Sequence, residues 1–200
     1  MYTLIQKPAP DFRAEAVLPN GDFGEIELAS FRNNKYVLLF FYPLDFTFVC
    51  PSEIIAFSNQ AEAFEQRDVQ LIGVSVDSKF SHLAWRQTPL KQGGIGEVRF
   101  PLVADITKEI SRDYGVLIDE SVALRATFLI DKEGVVRHAT FNDLPLGRNV
   151  QESLRMVDAL QFTEKNGEVC PAGWTQGKAA MQPTTQGVAQ YLQEHAGDLS

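Results

Sequence analysis

A mixed α/β fold, with a central sheet flanked by helices, is what this 200-residue chain predicts, and three observations carry that expectation. Residues 37–42 form an apolar run without alternation, which reads as a strand buried on both faces. Further runs of this kind alternate with helical spacings of apolar residues, the pattern of strands separated by helices. Towards the C-terminal third, two strand-like segments flank a glycine-centred turn, which adds an antiparallel pair and makes the sheet mixed.

Each element has its own signal. "KYVLLFFY" (35–42) is the first buried strand. From 52 to 67 apolar residues recur at Ile54, Phe57, Ala61 and Phe64 with Glu62 and Glu65 between them, which predicts a helix. "VQLIGVSV" (69–76) predicts a second buried strand, and 79–90 a helix that ends at Pro89. The cluster Gly93-Gly94-Ile95-Gly96 breaks the chain. A short strand at 100–105 and a helix at 107–115, closed by Gly115, follow. "ATFLID" (126–131) and "VVRHATF" (135–141) flank Lys132-Glu133-Gly134 as a hairpin, and Val150, Leu154, Val157 and Leu160 mark a helix over 149–162. From Glu164 onward glycines and prolines are scattered through an arm that ends in a short helix around 188–194.

Composition narrows the function. A net charge of -8 without a Lys/Arg cluster argues against nucleic acid or an anionic membrane surface as partner. The N-terminus lacks the apolar core of a secretory signal, and the longest apolar run is far short of the ~20 residues that span a bilayer, so a cytosolic protein is expected. The two cysteines, Cys50 and Cys170, are too few for a disulfide scaffold and too far apart for a zinc pair. In a reducing compartment burial or redox chemistry remains for them. His82, His138 and His195 are widely separated and show no metal-ligand spacing.

Cys50 lies in "PLDFTFVCP" (43–51), where a buried strand ends and a helix begins. Pro51 suits the first helical position because its missing N–H would be unpaired there. That places Cys50 where backbone N–H groups and the positive end of the helix dipole favour an anion such as a thiolate. Position alone also fits a small buried hydrophobe. Lowering a thiol titration by about 2.5 units takes roughly 3.4 kcal/mol, whereas a helix terminus supplies ~0.3–1 kcal/mol. A nearby cation has to supply the rest, and Arg125, at the head of a predicted strand, is the candidate.

The segment 43–51 is similar to the active-site signature of the peroxiredoxins, P-x-x-x-T-x-x-C, with Pro43, Thr47 and Cys50 at the matching positions. The resemblance runs on through "GVSVDSKFSHLAW" (73–85), the Gly93–Gly96 loop, "ALRATFLID" (123–131), "NDLPLGRNV" (142–150) and "GEVCPAGW" (167–174), nearly the whole chain, and it points to the typical 2-Cys branch, like the C subunit of alkyl hydroperoxide reductase. It implies a thioredoxin-like fold, with a peroxidase domain over 1–163 and a C-terminal arm over 164–200. It implies that Cys50 is the peroxidatic cysteine and Cys170 the resolving one. Thr47 then offers its hydroxyl to thiolate and peroxide, Pro43 shields the site from water, and Arg125 holds the thiolate charged and positions the peroxide oxygens. Glu53 and Arg148 match a pair that orients Arg125. The implied reaction reduces hydrogen peroxide and organic hydroperoxides without metal or organic cofactor. It passes through a Cys50 sulfenic acid and a Cys50–Cys170 disulfide that thioredoxin or a flavoprotein disulfide reductase recycles. The family implies that the disulfide joins two subunits of a homodimer and that dimers close into a ring, usually a decamer; the residues by themselves fit a bond within one chain equally well.

Two rival functions are separable. A thioredoxin-like disulfide oxidoreductase needs C-x-x-C at the helix start, and Glu53 stands where the second thiol would be. A holdase role, known for some family members, would survive Cys50→Ser where a peroxidase would not. One departure concerns the tail: peroxide-sensitive members carry a G-G-L-G loop and a C-terminal Tyr-Phe pair, which here read Gly93-Gly94-Ile95-Gly96 and Tyr191-Leu192. Intermediate sensitivity to overoxidation follows.

Overall fold

The computed structural model describes residues 3–199, which fall into two compact units, one ending at Val150 and one beginning at Gln151. In chain order the elements of the first unit are β1 (Arg13–Val17), β2 (Phe23–Glu27), β3 (Tyr36–Phe41), α1 (Cys50–Asn59), α2 (Ala61–Glu65), β4 (Val69–Ser75) and α3 (Lys79–Gln87). They continue with β5 (Leu102–Ala104), α4 (Glu109–Asp113), β6 (Leu117–Ile118), β7 (Val122–Ala123), β8 (Arg125–Ile130) and β9 (Val136–Asn142). Helix α5 (Val150–Asn166) opens the second unit and α6 (Thr185–His195) lies near its end.

Among the described residues seven strands form one mixed sheet in the order β2-β1-β5-β4-β3-β8-β9. Strand β3 is central, parallel to β4 on one side and antiparallel to β8 on the other, and all six of its residues are buried. That is why its sequence shows no alternation: both faces are covered, so neither selects polar residues. Val37, Leu39 and Phe41 point into a core with Ile72, Val74, Val103, Phe128 and Ile130.

On the other face Phe40 does the work of aiming α1. Its ring stacks on Phe57 of α1, centroids 4.4 Å apart, and meets Phe100 edge-on at 5.3 Å. Phe40 pairs in register with Gly73 of β4, where an added Cβ would lie 3.1 Å from the Phe40 ring and 3.0 Å from Leu102 Cδ2. The absence of a side chain at 73 makes the room in which Phe40 stacks. A helix pinned by Phe57 in its second half has its first turn, and hence Cys50, fixed at the C-terminal end of β3.

The expected elements are present with shifted ends. The predicted 52–67 helix is divided at Gln60 into α1 and α2, and α1 begins two residues earlier, at Cys50. Helix α3 is capped by the Ser78 side chain and stops before Thr88-Pro89. Two hairpins were not anticipated. β1 and β2 are short, polar on one face and joined through Asn20-Gly21, with Gly21 at φ +88°; this Asn-Gly is a hairpin signal that the sequence carries in plain view. The β6–β7 ribbon, two residues a strand, lies outside the main sheet and has no periodicity long enough to read. No helix of the described residues is long and apolar enough to cross a membrane.

Candidate active site

The loop between β3 and α1 carries the first group of site residues. Tyr42 follows the strand, Pro43 is buried, and the chain reverses through Phe46, whose φ of +54° is unusual for a side chain of that size. Thr47 follows, and Cys50 opens α1 with Val49 as N-cap and Pro51 in the first turn. The sulfur is fully buried. Thr47 Oγ1 lies 3.0 Å from Cys50 Sγ and 2.7 Å from the Leu44 carbonyl oxygen, so the hydroxyl is poised between an acceptor and the sulfur.

Strand β8 and the loop after β9 deliver the cations. Arg125, first residue of β8, is buried and donates from Nη1 to Cys50 Sγ at 3.2 Å and to Glu53 Oε2 at 2.7 Å, while its Nε donates to the Leu144 carbonyl at 2.6 Å. Arg148 grips the same glutamate: Nε to Oε1 at 2.8 Å, Nη2 to Oε2 at 2.9 Å and its backbone N–H to Oε1 at 2.9 Å. Its Nη1 is spent on the ends of the sheet, donating to the carbonyls of Phe41 and Ala126, and its guanidinium lies over the Phe40 and Phe57 rings. Glu53 sits one turn after Cys50 on the same helix face, buried. Burial pushes its carboxyl up, but the Arg148 hydrogen bonds and charge, with the charge of Arg125, outweigh that and hold it below the usual carboxylate range.

Two buried arginines thus share one buried glutamate, which leaves a net positive charge next to the sulfur. Beside Thr47 and Arg125 opens a cavity of about 470 Å³. Pro43, Leu44, Phe48, Val49, Val122 and Leu144 line it, and Phe48 is 98% exposed at its rim. Pro43, Thr47, Cys50, Glu53, Arg125 and Arg148 are therefore brought into one constellation within the first unit.

Cys170, in the second unit, has different surroundings. It is half-buried, 3.6 Å from the Ala159 carbonyl and 3.7 Å from Thr163 Oγ1 on α5. The segment after it is anchored by Trp174, which is buried, packs on Phe162 at 4.8 Å and donates Nε1–H to the Lys178 carbonyl at 3.1 Å. Arg155 ties the Trp174 carbonyl to α5 while its other donors are held by both oxygens of Glu152. Both cysteines are free thiols.

Sequence reasoning missed a second buried cluster at the root of the same loop. The Tyr42 hydroxyl donates to Asp45 Oδ1 at 2.9 Å, His82 Nδ1 lies 2.8 Å from Asp45 Oδ2, and His82 Nε2 lies 3.2 Å from the Val103 carbonyl. Asp77 accepts from the Asp45 backbone N–H and from Ser75 Oγ. Burial, with the charge of Asp45, raises its carboxyl. These bonds tie the loop that holds Pro43 and Thr47 to β4, β5 and α3. The signal in the sequence is faint: polar residues at 45, 75, 77 and 82, the last two among other polar residues. Among the described residues no group of three His, Cys, Asp or Glu side chains could hold a metal ion.

A buried thiol at a helix start, contacted by a hydroxyl and a guanidinium on a thioredoxin-like framework, points to a class of redox site, and comparison with known proteins agrees with it. The AhpC/TSA family model matches residues 5–139, and that of the C-terminal domain of 1-Cys peroxiredoxin matches residues 159–194. Alkyl hydroperoxide reductase C of Helicobacter pylori is 57% identical over 194 residues, 96% of this chain and 98% of that protein. Peroxiredoxin-2 of Macaca fascicularis is 55% identical over 96% of each chain. The crystal structure of reduced 2-Cys peroxiredoxin from Plasmodium vivax superposes with a TM-score of 0.95 at 57% identity, covering 96% of this chain and all of that one. The chain belongs to the AhpC/TSA family, the peroxiredoxins. Its fold is thioredoxin-like and it is a thiol peroxidase that reduces peroxides.

Proposed function

We propose that Cys50 is the peroxidatic nucleophile and Cys170 the resolving one, in a cytoplasmic 2-Cys enzyme that turns over hydrogen peroxide and organic hydroperoxides. The observation that carries this reading is the contact of one sulfur with both Thr47 Oγ1, at 3.0 Å, and Arg125 Nη1, at 3.2 Å, at the N-terminus of α1. The Cys50 thiolate attacks one oxygen of ROOH, the O–O bond breaks, and the other oxygen leaves as ROH after taking a proton. Charge shifts from sulfur to the departing oxygen, so a guanidinium donor that spans both stabilises the transition state more than the ground state. Arg125 is that donor. Thr47 holds the incoming peroxide through its hydroxyl and Pro43 keeps water from the sulfur. Glu53 and Arg148 position Arg125 without touching substrate.

The Cys50 sulfenic acid then condenses with the Cys170 thiol of a partner subunit, releasing water and forming a disulfide, and an external dithiol reduces it. Buried Cys50 can meet a second thiol only after the first turn of α1 unwinds. The reaction needs no metal or organic cofactor. We assign residues 1–163 to the peroxidase domain and 164–200 to the arm that carries Cys170. The resemblance to 2-Cys relatives supports dimers that assemble into a ring, a decamer, with thioredoxin or a flavoprotein disulfide reductase as reductant.

Peroxide-treated protein on a non-reducing gel tests the pairing. A dimer band that Cys170→Ser abolishes is the expected result, and a monomeric Cys50–Cys170 disulfide overturns the intersubunit assignment. NADPH turnover coupled through each purified reductant identifies the electron donor.

A further inference from the structure

The cavity beside Thr47 and Arg125, the two residues that contact the Cys50 sulfur, is larger than the smallest peroxide requires. A water occupies about 30 Å³ of liquid, so hydrogen peroxide needs roughly twice that, against a cavity of about 470 Å³, within the range of small-molecule sites. Thr47 and Arg125 supply the polar atoms at its inner end, and the remaining lining is apolar: Leu44, Phe48 and Val49 from the catalytic loop, Leu144 and Pro145 from the loop after β9, and Val122 from β7. Arg125 is the charged side chain of this lining, and it is occupied by the sulfur, Glu53 and the Leu144 carbonyl. The space beyond the reacting oxygens is thus built for an uncharged apolar group.

Val122 reaches this wall from an element of its own. The β6–β7 ribbon stands outside the main sheet, and its turn residues Asp119 and Glu120 both have φ of +49°, a left-handed conformation that glycine or asparagine adopts far more readily than glutamate. Helix α4 and its N-cap hold that turn: Lys108 Nζ donates to the Glu120 carbonyl at 2.8 Å and Arg112 Nη2 to Glu120 Oε2 at 2.7 Å. The turn is thus bonded to α4 through both its backbone and a side chain, and Val122 enters the cavity wall two residues further on.

We infer that Val122 is a specificity-determining residue: it sets the size of the apolar R group that the site accepts in a hydroperoxide ROOH and contributes contact to that group. This rests on the assignment of Cys50 as nucleophile, and the test separates the two. The rate of the first oxidation step is measured by stopped flow with hydrogen peroxide, tert-butyl hydroperoxide and cumene hydroperoxide, in the parent, in Val122→Phe and in the nearly isosteric Val122→Thr. Filling the wall in Val122→Phe is expected to lower the cumene-to-hydrogen-peroxide rate ratio about tenfold, with the tert-butyl ratio falling less. Val122→Thr, with volume kept and a hydroxyl introduced, is expected to lower the cumene ratio about three- to fivefold. A variant that is merely destabilised changes all three rates in proportion and leaves the ratios fixed. Unchanged ratios in both variants overturn the inference while leaving the peroxidase reading intact; a parent enzyme in which Cys50→Ser still reduces peroxide overturns that reading instead.

Discussion

The two cysteines of this chain each have an arginine and a glutamate close by, and the difference between the two arrangements is the ground for proposing different chemistry for them. Around Cys50, Arg125 and Arg148 share a single Glu53, all buried, so the local count is one positive charge in excess, and one Arg125 N–H points at the sulfur. Around Cys170, Arg155 is paired one-to-one with Glu152 through two hydrogen bonds, and the neighbours of the sulfur are a carbonyl and a hydroxyl at 3.6 and 3.7 Å. The first arrangement sets a guanidinium N–H on the sulfur and the second sets none there. The framework differs as well: Cys50 rests on a helix fixed by the Phe40–Phe57 stack, whereas Cys170 lies in an extended segment held by Trp174. In the proposed mechanism the first thiol reacts with the peroxide and the second with the product of that reaction.

The sharpest way to break this comparison is to exchange the roles. Cys50→Ser is expected to abolish peroxide consumption completely, while Cys170→Ser still consumes one equivalent per subunit and then stops. Single-turnover kinetics with limiting reductant would show it. Equal residual activity in both variants would mean that the charge count has no bearing on reactivity.

The next effect in size concerns the cations. Removing a preorganised donor aimed at developing charge costs about 10²–10³ in rate, so Arg125→Ala should slow the first oxidation step by about 10². Arg148→Gln, which acts through Glu53 and the sheet carbonyls, is expected to cost about tenfold, and the doubly substituted protein less than the product of the two because the residues share one partner. Arg155→Gln near Cys170 should leave the first step within about twofold.

A pH titration sharpens the same point. The Glu53 carboxyl is held below its ordinary range in the fold, so its contribution is fully present above the unfolded value of ~4.3 and is lost as pH falls through the lower folded value. Fast oxidation of Cys50 should therefore show no loss assignable to Glu53 between pH 8 and 5, and a loss only below the ordinary carboxylate range. Glu53→Gln leaves two buried guanidinium groups without their counter-charge and should cost on the order of 3–5 kcal/mol in stability by denaturant titration. A variant that keeps parental stability would show that the arginines find another partner.

Much of this was legible in the chain, and the exceptions have a physical pattern. The buried strand 36–41 could be read because residues covered on both faces leave an unbroken apolar run, and Cys50-Pro51 because proline's missing N–H marks a helix start. The need for a cation followed from magnitudes before Arg125 was located. The loop signature 43–51 then assigned Pro43 and Thr47. The β1–β2 hairpin escaped because short strands with one wet face carry little hydrophobic signal, although Asn20-Gly21 marked the turn. The Tyr42–Asp45–His82 cluster escaped for another reason: its members come from separate segments, and a single buried histidine has no spacing to read. What sequence alone conveys least is which polar side chains are buried together.

The smallest expected effect lies at the far end of the chain and separates reaction from resolution. Cys50 is fully buried at the first turn of α1, so in the proposed mechanism its sulfenic acid waits for that turn to unwind before a second thiol can reach it, and a second peroxide can meanwhile oxidise it to the sulfinic state. Any contact that favours the folded helix lengthens the wait. Peroxide-sensitive relatives use a glycine loop and a C-terminal aromatic pair for this. The loop is present here, with Gly93 and Gly96 at positive φ and Gly94 so close to Thr88 that a Cβ would lie 1.8 Å from its carbonyl oxygen. In the pair, Tyr191 meets the His195 ring at 4.8 Å on α6, and Leu192 stands 44% exposed where the second aromatic is missing. An aromatic contact contributes ~0.5–1.5 kcal/mol beyond its area, a factor of about two to ten in a local equilibrium. Leu192→Phe should therefore raise the fraction of Cys50 driven to sulfinic acid during turnover by that factor and leave the first oxidation step unchanged. Mass spectrometry of Cys50 across a peroxide titration reads the result, and equal sulfinic acid in parent and variant would remove the tail from the control of resolution.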